Sequence, residues 1–247
     1  LPNRIILPKS NHKRRITLVL PTYAPCKIRS IILEKVKGEK PVERYDNFKG
    51  KGKPVIFYGS SITQGGCTSR PALAYPQLLS EKIGFDYLNF GISGAGFGEP
   101  EMADFISSFN HASLFILDWG ANLLKPEYQD LLERRYEPFW RKIHKQNPKT
   151  PILFIGLQNY YQELIEAPIT RAYIRYKRDF IEKKANEACL EINKTNESSL
   201  FTYMKGTEIL GLEDIGNTVD GVHPNDLGHK KYAEIIEKKI STSFNFT

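Results

Sequence analysis

The chain has 247 residues, of which 40% are hydrophobic and 26% charged, and it carries a formal charge of +7. That length can bury a full-sized core as one large domain, or as one domain with an appendage. No apolar run approaches the roughly 20 residues that cross a bilayer, and the opening "LPNRIILPKSNHKRR" lacks the apolar region of a signal peptide, so no membrane span is expected.

The first 50 residues contain two β-type runs, "RRITLVLP" and "KIRSIILEKV", separated by the turn-prone "TYAPC". They are too short for an independent core and read as a small β appendage, or the remnant of an N-terminal β-module. The Lys/Gly-rich "NFKGKGKP" joins them to a catalytic domain expected over residues 51–247. The chain begins at Leu1 without a methionine, which reads as a trimmed N-terminus. The compartment is undetermined on this basis, with a secreted or periplasmic location favoured over a cytoplasmic one.

From about residue 53, short apolar runs alternate with longer amphipathic ones. The apolar runs are "PVIFYG", "FDYLNFG", "SLFILDWG", "PILFIGL" and "SLFTYM", and helices are predicted near 71–83, 100–110, 126–146 and 170–194, with a last one after Pro224. Gly84, Pro126, Pro151 and the Asn225-Asp226 pair supply the stop and start signals. This alternation predicts an α/β chain folded as a three-layer α/β/α sandwich around a five-stranded, mainly parallel sheet.

Basic clusters at 12–15 ("HKRR"), 141–145 ("RKIHK") and 175–184 ("RYKRDFIEKK") raise the question of nucleic acid. The last two alternate with Ile143, Phe180 and Ile181 as solvated helix faces do, and no reading module is present, so no nucleic-acid partner is expected. Cys26, Cys67 and Cys189 are too scattered for a disulfide framework or zinc site and are expected as free thiols. No metal or other cofactor is implied. The Asn-x-Ser/Thr sites at Asn193, Asn196 and Asn245 matter only on a eukaryotic secretory route.

Chemistry is expected at the carboxyl ends of the parallel strands, where loops converge. Four of these ends carry unusual residues: Gly59-Ser60-Ser61-Ile62, "NFGISGAGFG" at 89–98, "DWGANLL" at 118–124 and "DGVHPND" at 220–226. A phosphate-binding loop fails, because from Gly59 the second glycine falls one place late and no lysine follows. A dinucleotide fingerprint fails too, because Glu99 stands where the third glycine of "GAGFGE" should be.

Nucleophilic catalysis needs a hydroxyl, a base, a group that orients the base, and donors for the oxyanion. His12 lies in a basic tail, and His111 and His144 sit in or near helices with no acid in register. His229 falls in the last helix and reads as a partly exposed surface residue. His223 differs: Asp220 precedes it by three residues and Pro224 fixes the chain after it. Standing alone, that loop could equally be a helix-capping turn.

It does not stand alone. "GSSITQG", "NFGISGAG", "WGANL" and "DGVHPND" occur in order and together resemble the four sequence blocks of the SGNH (GDSL-like) hydrolases, from about residue 54 to 240. The resemblance implies a flavodoxin-like fold and a serine esterase. The nucleophile falls on Ser61, the oxyanion-hole glycine on Gly94, the oxyanion-hole asparagine on Asn122, and the Asp and His of the triad on Asp220 and His223. The backbone N–H of Ser61 would complete the oxyanion hole.

The chain departs from the family pattern in reading Gly-Ser-Ser-Ile rather than Gly-Asp-Ser, and in having Leu123 where an acid often follows the asparagine. With the upstream β-type segment, these features are most similar to the subgroup with an N-terminal β-sandwich. An α/β-hydrolase fits less well, since Thr63 occupies the second glycine of its Gly-x-Ser-x-Gly and the Asp and His share one turn.

The expected reaction is hydrolysis of small acyl esters through an acyl-enzyme, and the family resemblance implies acetyl groups on carbohydrate. The alternative is acyl transfer from the same site to an alcohol acceptor. Arg70, Tyr75, Phe97 and Trp119 are expected near the mouth, with core packing the role of at least half of them. Ser60 is expected to bond the local backbone. Oligomeric state is not readable.

Overall fold

The computed structural model describes residues 12, 14, 16–31, 53–194 and 199–244. The chain divides into two compact units, Leu1–Asn47 and Phe48–Thr247. In the first unit, residues 16–31 form neither helix nor strand. Ile16, Leu18, Leu20, Ile28 and Ile31 are all exposed, so their β-type pattern has no buried face to support strand pairing. The predicted β appendage is therefore not seen over these residues, and the rest of it, like most of the linker, lies outside the described residues.

The second unit contains a sheet of β1 (Val55–Gly59), β2 (Tyr87–Gly91), β3 (Leu114–Asp118), β4 (Ile152–Ile155) and β5 (Phe201–Met204). The strand order is β2-β1-β3-β4-β5 and every pairing is parallel. β1, β3 and β4 are buried at every position, which explains their unbroken apolar sequences.

The helices are α1 (Ser61–Gln64), α2 (Tyr75–Ile83), α3 (Pro100–Ser107), α4 (Gln129–Gln146), α5 (Gln162–Ile165), α6 (Pro168–Asn193), α7 (Gly206–Ile209) and α8 (Asp226–Ser243). Alternate strand residues face opposite layers. Ile56, Tyr58, Phe115, Leu117 and Phe154 pack with Ile106 of α3, Phe139 and Trp140 of α4, and Ile181 of α6. Val55, Phe57, Ile116 and Leu153 pack with Leu79 of α2 and with Tyr232, Ile236 and Ile240 of α8. The predicted three-layer sandwich thus forms in this unit.

Some boundaries differ from the sequence reading. The stretch predicted from 71 opens with a 3-10 turn, Pro71–Leu73, and that from 126 with another, Pro126–Tyr128. In both, proline stands first in a 3-10 turn that leads into the helix. α5 and α7 are single turns, too short for an amphipathic period to show in sequence.

Strand order reverses direction at β1, whose neighbours are β2 and β3. The register sets Gly59 level with Gly91 on one side and Asp118 on the other. Three strand ends therefore finish together at the switch point where an open α/β sheet forms its crevice.

Candidate active site

β1 ends at Gly59, and the chain turns at once into α1. Gly59 has no unusual φ; glycine is required there because a Cβ would collide with the Thr63 side chain and the Asp118 carbonyl. Ser60 is the N-cap of α1, its hydroxyl accepting the Ile62 N–H at 3.3 Å. That contact leaves Ser61 as the first helical residue, 6% exposed, at the edge of the sheet.

Opposite it, a tight loop precedes α8. Thr218 and Pro224 form an antiparallel bridge, Val219 N donates to His223 O at 2.9 Å, and Gly221 adopts φ +80°. Asp220 Oδ1 accepts the backbone N–H groups of Val222 (2.9 Å) and His223 (2.7 Å), while its Oδ2 lies 2.7 Å from His223 Nδ1. His223 Nε2 is 2.8 Å from Ser61 Oγ. Partial burial raises the Asp220 pKa, but the bonds from His223 and Val222 outweigh it and hold the carboxyl below its usual range. An ionised Asp220 fixes the proton on Nδ1 and leaves Nε2 to accept from the serine hydroxyl.

The glycine-rich loop after β2 contributes Gly94, exposed at φ +66°. Asn122, in a 3-10 turn after β3, binds this loop through Nδ2, which donates to Ile92 O at 3.3 Å and also to Ala95 O. Gly94, Phe97, Ala121, Asn122, Leu124, Lys125 and Tyr128 line a cavity of about 310 Å³. The rings of Phe97 and Tyr128 lie 5.4 Å apart within that lining.

Beneath the site is a buried polar network that the sequence reading missed. Asp118 Oδ2 accepts from Thr63 Oγ1 (2.9 Å) and from the Tyr75 hydroxyl (3.0 Å). Burial lifts the Asp118 pKa to about 6 against the lowering effect of these two bonds. Further across, Tyr232 donates to Gln158 Oε1 at 2.7 Å, and Gln158 Nε2 donates to Val222 O at 2.5 Å in the His223 loop. An acid closing an otherwise apolar strand was the available signal for Asp118.

Several sequence expectations need correction. Tyr75 is fully buried and serves Asp118 rather than a binding mouth. Trp119 is 3% exposed, packed among Tyr58, Tyr136 and Phe139, and closed off by Gly98. Arg70 is exposed at the start of the 71–73 turn and does not line the cavity; of the four residues expected at the mouth, only Phe97 does.

His229 is completely buried, not a surface residue. The Tyr75 N–H donates to its Nδ1 at 3.3 Å, and its Nε2 lies 3.1 Å from Gly66 O. Desolvation lowers its pKa to about 4. Lys177, expected on a solvated face, is also buried, donating to Lys125 O at 2.8 Å. Among the described residues no cluster of His, Cys, Asp or Glu could hold a metal ion, and no helix is long and apolar enough to cross a membrane.

The model of the GDSL-like lipase/acylhydrolase family matches residues 52–241. A sequence comparison with curated proteins returned no match. Among solved structures, the chain resembles a candidate GDSL-like lipase from Bacteroides ovatus at 29% identity and a TM-score of 0.66, covering 80% of this chain and 54% of that one. A salicylyl-acyltransferase from a tetracycline biosynthetic pathway matches at 22% identity and TM-score 0.59, covering 77% and 55%. A two-domain esterase active on acetylated mannans matches at 22% identity and TM-score 0.54, covering 78% and 50%. The chain thus spans about half the length of these relatives. With a family match over most of its length, the chain belongs to the GDSL-like lipase/acylhydrolase family, a family of serine esterases.

Proposed function

We propose that the chain is a serine-dependent ester hydrolase that works through an acyl-enzyme. The observation that carries this reading is the continuous chain of contacts from Asp220 through His223 to Ser61, at 2.7 and 2.8 Å. His223 takes the proton of Ser61 as its oxygen attacks the ester carbonyl, and Asp220 stabilises the imidazolium that results. The alcohol leaves with that proton, and water, activated by the same histidine, releases the acyl group.

The oxyanion is held by the N–H groups of Ser61 and Gly94 and by the Asn122 amide. Ser61 N lies in the first turn of α1, where N–H groups lack helical acceptors. Gly94 and Asn122 border the same cavity. Asn122 Nδ2 donates to two carbonyls of the glycine loop, so one of its two N–H groups must leave its carbonyl to reach the oxyanion.

The substrate in this reading is a small acyl ester, an acetyl group on carbohydrate. The acyl carbon sits at Ser61, and the cavity of about 310 Å³, with its Phe97 and Tyr128 walls, takes a ring-sized alcohol. The likeness to an esterase active on acetylated mannans agrees with this choice.

Hydrolysis of p-nitrophenyl acetate, butyrate and octanoate tests the acyl preference. The proposal expects rates that fall with chain length; a maximum at octanoate would reject the small acyl group. An acyltransferase working from the same site would instead yield more ester product when an alcohol acceptor is added.

A further inference from the structure

Ser61 and His223 lie on separate segments, and nothing in their own contact fixes the distance between those segments. The segment after α1 is polar and largely exposed at Cys67, Ser69 and Arg70, yet it is anchored at both ends of its course to the first turns of α8. Ser69 donates through its N–H to Asp226 Oδ1 at 2.8 Å and through its hydroxyl to Asp226 Oδ2 at 2.7 Å. His229 bridges the Tyr75 N–H and the Gly66 carbonyl.

We propose that Asp226 and His229 form a clasp that holds the nucleophile segment against the histidine segment and so sets the Ser61–His223 distance, as positioning residues rather than catalytic ones. This inference rests on the reading of Ser61 and His223 given above.

The connection on the serine side is short. Because Tyr75 N–H donates to Nδ1, the ring proton of His229 lies on Nε2 and is donated to Gly66 O. Gly66 N in turn donates to Ser61 O at 2.7 Å, as does Gly65 N at 3.1 Å. A shift of the 65–66 turn therefore moves the Ser61 carbonyl directly.

On the histidine side, Asp226 and His229 follow His223 by three and six residues. Between them the chain is held by Asn225, which caps α8 by accepting from Leu227 N at 3.0 Å and Gly228 N at 3.1 Å. The bonds from Ser69 also hold the Asp226 carboxyl below its ordinary range, so the contact is made by an anion, the stronger form of acceptor. An Asp at this position could serve its own helix alone; the paired bonds to a residue 157 positions away show that it does more.

The test measures kcat and KM for p-nitrophenyl acetate, with thermal melting to establish the folded fraction. Its variants are Asp226→Ala, Asp226→Asn, Ser69→Ala and the Ser69→Ala/Asp226→Ala double, beside wild type and Ser61→Ala. Misplacing a reacting group by an ångström costs on the order of a hundredfold, so Asp226→Ala should lower kcat by about ten- to a hundredfold with KM nearly unchanged.

Asp226→Asn should restore most of the loss, because its amide can accept the Ser69 N–H and donate to the Ser69 hydroxyl. Ser69→Ala should cause a smaller fall that adds nothing to Asp226→Ala, as expected for one shared interaction. Should Asp226→Ala not fold, Ser69→Ala on the exposed segment carries the test with its own smaller fall in kcat, and His229→Gln, which keeps a donor for Gly66 O, should retain most of the wild-type kcat.

Wild-type kcat in Asp226→Ala beside an inactive Ser61→Ala would overturn the clasp and leave the site reading intact. Equal losses in Asp226→Asn and Asp226→Ala would overturn it as well, assigning the effect to charge at the helix terminus. Wild-type activity in Ser61→Ala would bring down the site reading and the clasp with it.

Discussion

Asp220 meets His223 twice: its Oδ2 lies 2.7 Å from the ring Nδ1, and its Oδ1 accepts the backbone N–H of the same residue at 2.7 Å. The double contact fixes both the tautomer and the orientation of the imidazole. Under the proposed mechanism, Asp220→Asn presents an amide donor to Nδ1 and favours the wrong tautomer. The expected loss in kcat is about a thousand- to ten-thousandfold, with KM little changed. A loss below tenfold in steady-state kinetics would remove Asp220 from the machinery.

Asn122→Ala should lower kcat on the order of a hundred- to a thousandfold, the value of one oxyanion donor. Because Asn122 Nδ2 also ties the glycine loop at Ile92 and Ala95, the variant should melt at a lower temperature too. A change in melting temperature with kcat intact would leave Asn122 a loop anchor only.

Tyr75 links two buried ionisable groups whose pH effects oppose each other. The folded pKa of Asp118 is raised to about 6, so Asp118 contributes stability below its unfolded value that is lost as pH rises through about 6. The folded pKa of His229 is lowered to about 4, so His229 contributes stability at neutral pH that is lost as pH falls from its unfolded value through about 4.

Each effect amounts to about 3 kcal/mol at most, taking 1.36 kcal/mol per pH unit. Between pH 7 and 4, chemical denaturation should show wild type gaining stability relative to Asp118→Asn and losing it relative to His229→Gln. Differences that do not vary with pH would contradict both assignments.

Tyr75→Phe removes one of the two donors to the buried Asp118 carboxylate. The expected cost is about 1 to 3 kcal/mol at neutral pH, less at pH 4 where the carboxyl is protonated. Acyl-length preference should be unchanged, since Tyr75 is buried away from the cavity lining. A changed preference would return Tyr75 to the binding mouth.

The strands were legible because β1, β3 and β4 are buried on both faces and show unbroken apolar runs between glycine and proline signals. Ser61, Asp220 and His223 were legible as candidates because four blocks in order resemble the SGNH pattern; the Asp/His turn alone could equally have been a helix cap. His229 and Lys177 were misread by residue type, although the helical period held the answer. His229 falls in register with buried Tyr232, Ala233, Ile236 and Ile240, and Lys177 with Ile174, Ile181, Ala185 and Ala188. Each is held inside by hydrogen bonds to distant segments, and such partners leave no mark in local sequence. Trp119 stands beside Asp118 in sequence yet packs in the core, and with Tyr75 it makes up the half of the four candidates for which core packing was expected.

The most direct test of the central claim is to label the protein with a fluorophosphonate and map the adduct by mass spectrometry, following p-nitrophenyl acetate hydrolysis in the same samples. The account predicts one adduct on Ser61, loss of hydrolysis in step with labelling, and neither labelling nor hydrolysis in Ser61→Ala. An adduct on Ser60 or another residue, or hydrolysis that persists in Ser61→Ala, would contradict it.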